Sequence, residues 1–290
     1  YGTIKESGIG LACEEAARII LSENRPFSME TAACDEEYEP SSEYDSSFAL
    51  QIFAAREAVF KILAKESLSI HEKLIVILDM GSKIQQCINT DEYDNIKSVV
   101  NDYLKEGIAH TLDETRNLSD SGQFEDISLQ QGIRQILYPY EEMEVLNPEW
   151  EVILKDIIDS LFEQMSDEEY NILNEEFGTY MVSRAYEYRQ LLEYLVFRYF
   201  AKSIYDYDFL GKCQMLVTNF FVIRQMDIIR WLDNHREYSF KDRMDVVHIF
   251  SRQVEYSEDN IENLYEDFIF DDIFKTDSLI AILWIDSENI

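Results

Sequence analysis

Apolar residues recur at three- and four-residue intervals along most of this chain, most densely from Tyr186 to Trp231. Ala185, Tyr188, Leu192, Leu195, Val196 and Tyr199 share one face of a helix, because residues so spaced stack above one another on successive turns. After a break at YDYDFLG, Phe209, Cys213, Leu216, Phe220 and Ile223 repeat the pattern, and Leu210, Val217, Phe221 and Ile228 occupy the other side. A helix apolar around most of its circumference has to be buried among other helices. Residues 213–223 carry no charge, but Lys212 and Arg224 close the run well short of the roughly 20 apolar residues that a membrane span needs. The pattern predicts a soluble all-α fold, an irregular multi-helix bundle around a central hydrophobic helical hairpin.

The flanking segments follow the same code. Helices are predicted over 11–23 (LACEEAARIILSE), 47–66 and 70–89, the last opened by a capping box of Ser69 and Glu72. Short helices at about 93–106 and 128–137 are separated by the polar stretch DETRNLSDSGQFED, and Tyr138-Pro139 marks a turn. Asn147 as cap and Pro148 at the first helical position start a helix over 148–165, and Ser166 caps another reaching about Phe177. Helices over 240–256 and 258–270 and a short apolar one in TDSLIAILWID complete the chain. No strand-like alternation of useful length occurs. Residues 34–47, acidic and serine-rich with Pro40, read as a surface loop or a disordered linker between an amino-terminal helix and loop (1–33) and a helical domain (48–290), the two forming either one domain or separate ones.

Charge narrows the partners. With 58 acidic against 25 basic residues, the net charge of −33 repels nucleic-acid phosphates and anionic membrane surfaces and attracts a basic or lysine-bearing protein. Acidity also serves plain solubility. The cysteines at 13, 34, 87 and 213 form no CxxC pair and stand beside no histidine, which suits free thiols in a cytoplasmic protein and gives no metal site. His71-Glu72 fails as a zinc motif because Ile75 stands where the second histidine belongs. Asp245-Val-Val-His248 is a single carboxylate–histidine pair, where a di-metal bundle needs two. Gly8-Ile-Gly10 follows no strand and has Cys13 in the third glycine's place, so no phosphate cradle is expected. The usual strand–glycine loop–helix site for S-adenosylmethionine is absent as well. Within the hairpin, Arg189 and Glu193 are spaced to pair along one helix face. A sharper reading sets Glu193, Tyr194 and Arg198 at a cleft where a carboxylate and tyrosine faces hold a substrate ammonium.

Four segments carry a family resemblance. LACEEAARIIL (11–21) resembles the S-C-P-E-x-A-R-L-x-L segment of the flagellin lysine-N-methylases, and REAVFKILAKESLSIHEKLIVILDMGSKIQ (56–85) is similar to their R-x-x-x-x-x-I-L-Q-x-R-x-x-S-L-x-E-R-L region. LEYLVFRYF (192–200) resembles L-E-N-Y-L-V-Y-R-x-F, and IFSRQVEY (249–256) resembles the closing F-S-R-x-V-E-H. Glu14, Tyr194 and Tyr256 depart from the family's proline, asparagine and histidine. The resemblance implies methyl transfer from S-adenosylmethionine to lysine ε-amines of flagellin, with a cysteine-rich upstream segment holding a metal or iron–sulphur centre. No such segment stands before Cys13, so the expectation is the carboxy-terminal helical part, binding substrate or acting as an accessory. The matched polar positions are Glu193 and Tyr194 as catalytic candidates, and Arg198, Ser251, Arg252 and Glu255 as substrate-binding candidates. Glu193 and Arg252 are equally suited to a helix-packing salt link. The rival from another class is a non-catalytic acidic module that binds a basic protein.

Overall fold

The computed structural model describes residue 6 and residues 8–29, 46–120 and 127–288, and every regular element among them is helical. In chain order these are α1 (Glu14–Leu21), α2 (Ser46–Leu63), α3 (Ile70–Asn89), α4 (Ile96–Asp102), α5 (Ile108–Asp120), α6 (Leu129–Glu141) and α7 (Pro148–Ile157). There follow α8 (Asp167–Met181), α9 (Ala185–Tyr199), α10 (Ser203–Asp206), α11 (Phe209–Asp233), α12 (Phe240–Phe250), α13 (Glu258–Phe270) and α14 (Thr276–Glu288). The all-α expectation holds.

Helix α11 lies at the centre. Almost every residue from Phe209 to Trp231 is buried, on all sides of the helix. It packs on α9, the partner expected from the periodicity, but lies most extensively along α3, and also touches α6, α7 and α12. Closeness to α3 depends on Gly81: a Cβ there would stand 2.5 Å from Cys213 Sγ and 3.2 Å from its Cβ. A side chain at that position would force the two helices apart.

Several caps follow their sequence signatures. Ser69 and Glu72 complete a reciprocal capping box on α3, Ser166 and Glu169 one on α8, and Ser239 and Asp242 one on α12. Asn147 accepts from the Glu149 amide with Pro148 in the first turn of α7. Other boundaries move. The expected helix over 93–106 is broken into a 3₁₀ turn at Tyr93–Asn95, α4, and a widened π turn at Tyr103–Gly107. The polar stretch after it is helical as far as Asp120, because Thr111 and Thr115 are buried and Arg116 stacks on Trp284 of α14. Tyr138-Pro139 is not a turn: Pro139 lies in the last turn of α6, where the missing N–H removes a single bond near the helix end. π turns also end the helices expected over 148–165 and 240–256, at Ile158–Glu163 and Ser251–Glu255. Cys34 and most of the acidic stretch 34–47 lie outside the described residues.

The carboxy-terminal helix is locked by a buried ionic cluster. Asp286 accepts from His71 Nε2 at 2.7 Å and from Asn174, and Arg224 lies 3.7 Å away. Burial alone would raise the Asp286 carboxyl, but Arg224 and His71 outweigh it and hold it at about 2. A depressed folded-state value means that the carboxylate contributes stability above its unfolded value, lost as pH falls through about 2. The loss of stability between about pH 4 and pH 2 is therefore expected to flatten by on the order of 2 kcal/mol in Asp286→Asn, which is also destabilised at neutral pH. Urea titrations of both chains across that range check this.

Candidate functional site: a buried carboxylate held by two tyrosines

The matched segments meet where α9 runs past the π turn that follows α12. Tyr194 and Tyr199 stand five residues apart near the end of α9, and both hydroxyls donate to Glu255 Oε2, at 2.8 and 3.2 Å. Ser251 and Glu255 sit on the same widened turn, Ser251–Glu255, a type of turn often found at functional sites. Ser251 Oγ and Glu255 Oε1 are both buried beside one another, the hydroxyl favouring the ionised carboxylate, and neither makes a well-formed hydrogen bond to another group. His248 Nδ1, one turn earlier on the same helix, is likewise buried without a partner. Arg198 is exposed but within electrostatic reach of Tyr194, Tyr199 and Glu255. A wall is added by the amino-terminal segment: the Leu11 amide donates to the Tyr194 hydroxyl at 3.3 Å, and Gly10 lies against the same oxygen.

The electrostatics assign the roles. Burial raises the Glu255 carboxyl above its usual range, against the hydrogen bonds and the Arg198 charge that favour its ionised form. Burial, reinforced by the Glu255 charge, pushes the Tyr194 and Tyr199 phenols far up, so both remain neutral donors. Tyr194 thus orients Glu255 and is poorly suited to accept a proton. The group whose ionised form these phenols support is Glu255.

Glu193 lies in a different environment. Its carboxylate takes both contacts from Arg189, at 3.1 and 3.3 Å, and one from the Phe27 amide at 3.2 Å. Burial raises it, Arg189 opposes, and the buried Lys73 lies within reach. Arg189 also donates to Asn24 at 2.8 Å, and Gln190 to the Glu23 carbonyl. The pairing of Arg189 with Glu193 forms as its spacing predicts, buried instead of on a solvated face. These groups tie residues 23–27 to α9. Arg252 is exposed and makes no ion pair with Glu193, whose partner is Arg189.

Of the six positions singled out in the sequence, the structure brings together Tyr194, Arg198, Ser251 and Glu255, and sets Glu193 and Arg252 apart. Tyr199 is the neighbour of Glu255 that periodicity concealed, because it reads as one more apolar-face aromatic. His248 was legible only as a partly buried core histidine. Ser251 and Glu255 carried a usable signal, a hydroxyl and a carboxylate four residues apart.

The described residues do not fit a metal or iron–sulphur centre: they contain no group of three or more His, Cys, Asp or Glu able to hold one. Nor do they form a glycine-rich loop between strand and helix of the kind that cradles S-adenosylmethionine. No chemical step is therefore routed through either group. No described helix is long and apolar enough to cross a membrane.

The fold and the site define an all-α domain with a strongly acidic composition and a buried carboxylate held by two tyrosines. The family model described as FliB lysine N-methylase C-terminal domain matches residues 56–282, and the chain belongs to that family. It is thus part of a flagellin lysine N-methylase, whose substrate is a lysine-bearing protein. Three of the four resembling segments fall inside the match, and residues 11–21 fall before it. Comparisons with curated proteins and with solved structures give no match.

The two phenols make a direct chemical prediction. Because each hydrogen bond favours the ionised carboxylate, Tyr199→Phe should move the Glu255 carboxyl further up, and Tyr194→Phe should do so more strongly through its shorter bond. Side-chain carboxyl ¹³C NMR titration of the two variants measures this; unmoved values contradict the assignment.

Proposed function

We propose that this chain supplies the substrate-binding part of the methylase and that Glu255 receives the lysine ε-amine. The observation that carries it is the Glu255 carboxylate: one oxygen is fixed by Tyr194 and Tyr199, while the other lies buried with only the Ser251 hydroxyl beside it, in no well-formed hydrogen bond. A buried acceptor left unsatisfied costs about 1–3 kcal/mol, so an ammonium that fills the position recovers that loss.

The chemistry required is proton removal. A free lysine, with a pKa of about 10.4, is almost entirely protonated at neutral pH and has no nucleophilic lone pair. A carboxylate in low-dielectric surroundings favours the neutral pair over the charged one, so the proton passes from Nζ to Glu255 Oε1 and leaves a neutral amine. Ser251 is placed to accept a hydrogen bond from the amine, while Tyr194 and Tyr199 hold the carboxyl in position. Arg198 discourages a second cation from entering beside the first. Because Glu255 Oε1 is covered, the amine enters when the Gly8–Leu11 wall shifts. The methyl donor, S-adenosylmethionine by family resemblance, is held by groups other than these. The general acidity of the chain guides the basic substrate in.

In the assembled methylase, Glu255→Gln is expected to lower kcat for flagellin lysine methylation by about 100-fold, in the range typical for removing a general base, without lowering the melting temperature. Glu193→Gln is the control: it should lose stability by loosening residues 23–27, with activity falling only in step. Full activity of the Glu255→Gln enzyme would overturn the proposal, as would activity lost only in proportion to folded protein.

A further inference from the structure

We infer that the carboxy-terminal end of α13, with the adjoining end of α6, is a docking surface for a basic amphipathic segment of a partner protein. Ile269 and Phe270 are 74% and 77% exposed, and Tyr138 of α6 is 52% exposed. Exposed apolar side chains that form a contiguous patch rimmed by polar residues mark an interaction site. The helix need not present them: Phe268, immediately before, is buried against Phe274 at 5.1 Å between rings, so α13 has already turned its core face inward.

The surroundings define the occupant. Residues 258–274 contain seven carboxylates and no lysine or arginine. Helix α13 packs on α6, where Tyr138 donates to Glu142 at 3.0 Å, and Tyr138 feels the charge of Asp271. Partial burial, then the like charges of Asp271, Glu142 and Glu266, raise the Asp267 carboxyl, so these acids crowd one another. Lys275 pairs with Asp272 at 2.5 Å, and Arg134 pairs with Glu141; among the described residues no cation pairs with Glu142, Asp267 or Asp271. An occupant must cover apolar side chains and bring positive charge. A second copy of this chain brings the same acids and is repelled, as are nucleic acid and anionic lipid. A helix with leucine-like residues on one face and lysines or arginines beside them satisfies both demands.

This surface is separate from the Glu255 pocket. The length of α13 sets its far end about 18 Å from its start next to the Ser251–Glu255 turn. The inference does not rest on the role proposed for Glu255, and it describes a second point of grip for a basic protein.

The test uses the full 290-residue chain. Fluorescence anisotropy measures binding of a labelled synthetic amphipathic helix made of leucines and lysines, beside a version with serine for leucine. The leucine–lysine peptide should bind more tightly than the serine–lysine one, with affinity falling as salt rises. The double variant Ile269→Ser with Phe270→Ser should weaken it by about tenfold or more, as loss of central apolar anchors does, at an unchanged melting temperature. The double variant Glu142→Gln with Asp271→Asn should weaken it and reduce the salt dependence. Equal affinity for the two peptides, or unchanged affinity in the Ile269/Phe270 variant, would overturn the inference. Self-association of the parent chain that the same variant abolishes would overturn it too, by assigning the patch to a second copy.

Discussion

The fold depends on one constraint: a helix buried on every side that nevertheless carries polar groups along its whole length. Helix α11 holds Lys212, Gln214, Thr218, Asn219, Arg224, Gln225 and Asp227 in the interior. Each must find a partner, since an unpaired buried polar group costs about 1–3 kcal/mol, and breaking a buried ion pair costs about 3–5 kcal/mol. Lys212 reaches Asp206 at 2.7 Å and lies over the Tyr265 ring, Gln214 donates to the Phe274 carbonyl, and Tyr140 of α6 bonds Thr218 and Asn219. Tyr170 of α8 donates to Gln225, Arg224 meets Asn174 and Asp286, and Asp227 accepts from Tyr188, Tyr238 and Arg243. An all-apolar rod could rotate or slide among its neighbours at little cost. These pairings permit a single register.

The same contacts place the candidate site. Arg243 of α12 bonds Asp227 of α11 at 2.5 Å and Glu187 of α9 at 3.0 Å, while Tyr188 of α9 bonds Asp227 at 2.6 Å. Three helices are thereby pinned at one fully buried point. From that point α9 carries Tyr194 and Tyr199 forward, and α12 carries the chain to Ser251 and Glu255. The phenols and the carboxylate meet because both helices start from a fixed origin. The site keeps a buried oxygen without a well-formed hydrogen bond, as Asn219 Nδ2 and Arg243 Nη2 in the network also do.

How much of this could be read in advance varies with the physics involved. Capping boxes at Ser69 and Ser166 are local, and local signals survive folding. The periodicity of 186–231 correctly marked two buried helices, but periodicity says which face is apolar, not which helix covers it, and α3 proved the largest neighbour of α11. The π turns at 103–107, 158–163 and 251–255 leave no periodic trace, because one widened turn shifts the pattern by a single residue. Residues 113–120 look like a loop by polarity and become helix through tertiary contacts of Thr115 and Arg116 with Trp284. At the site, the matched motifs supplied Tyr194, Arg198, Ser251 and Glu255 as a set, and only the fold separated Glu193 and Arg252 from them. Tyr199 was hidden because a phenol on an apolar face has the same signature whether its hydroxyl is idle or bonded.

Native-state hydrogen exchange tests the central constraint most directly. If the polar pairings of α11 fix the register of the bundle, its amides from Phe209 to Asp233 should exchange only through global unfolding, with free energies matching those from urea denaturation. Exchange of α11 through a smaller, local opening while α6, α8 and α12 stay protected would contradict the account.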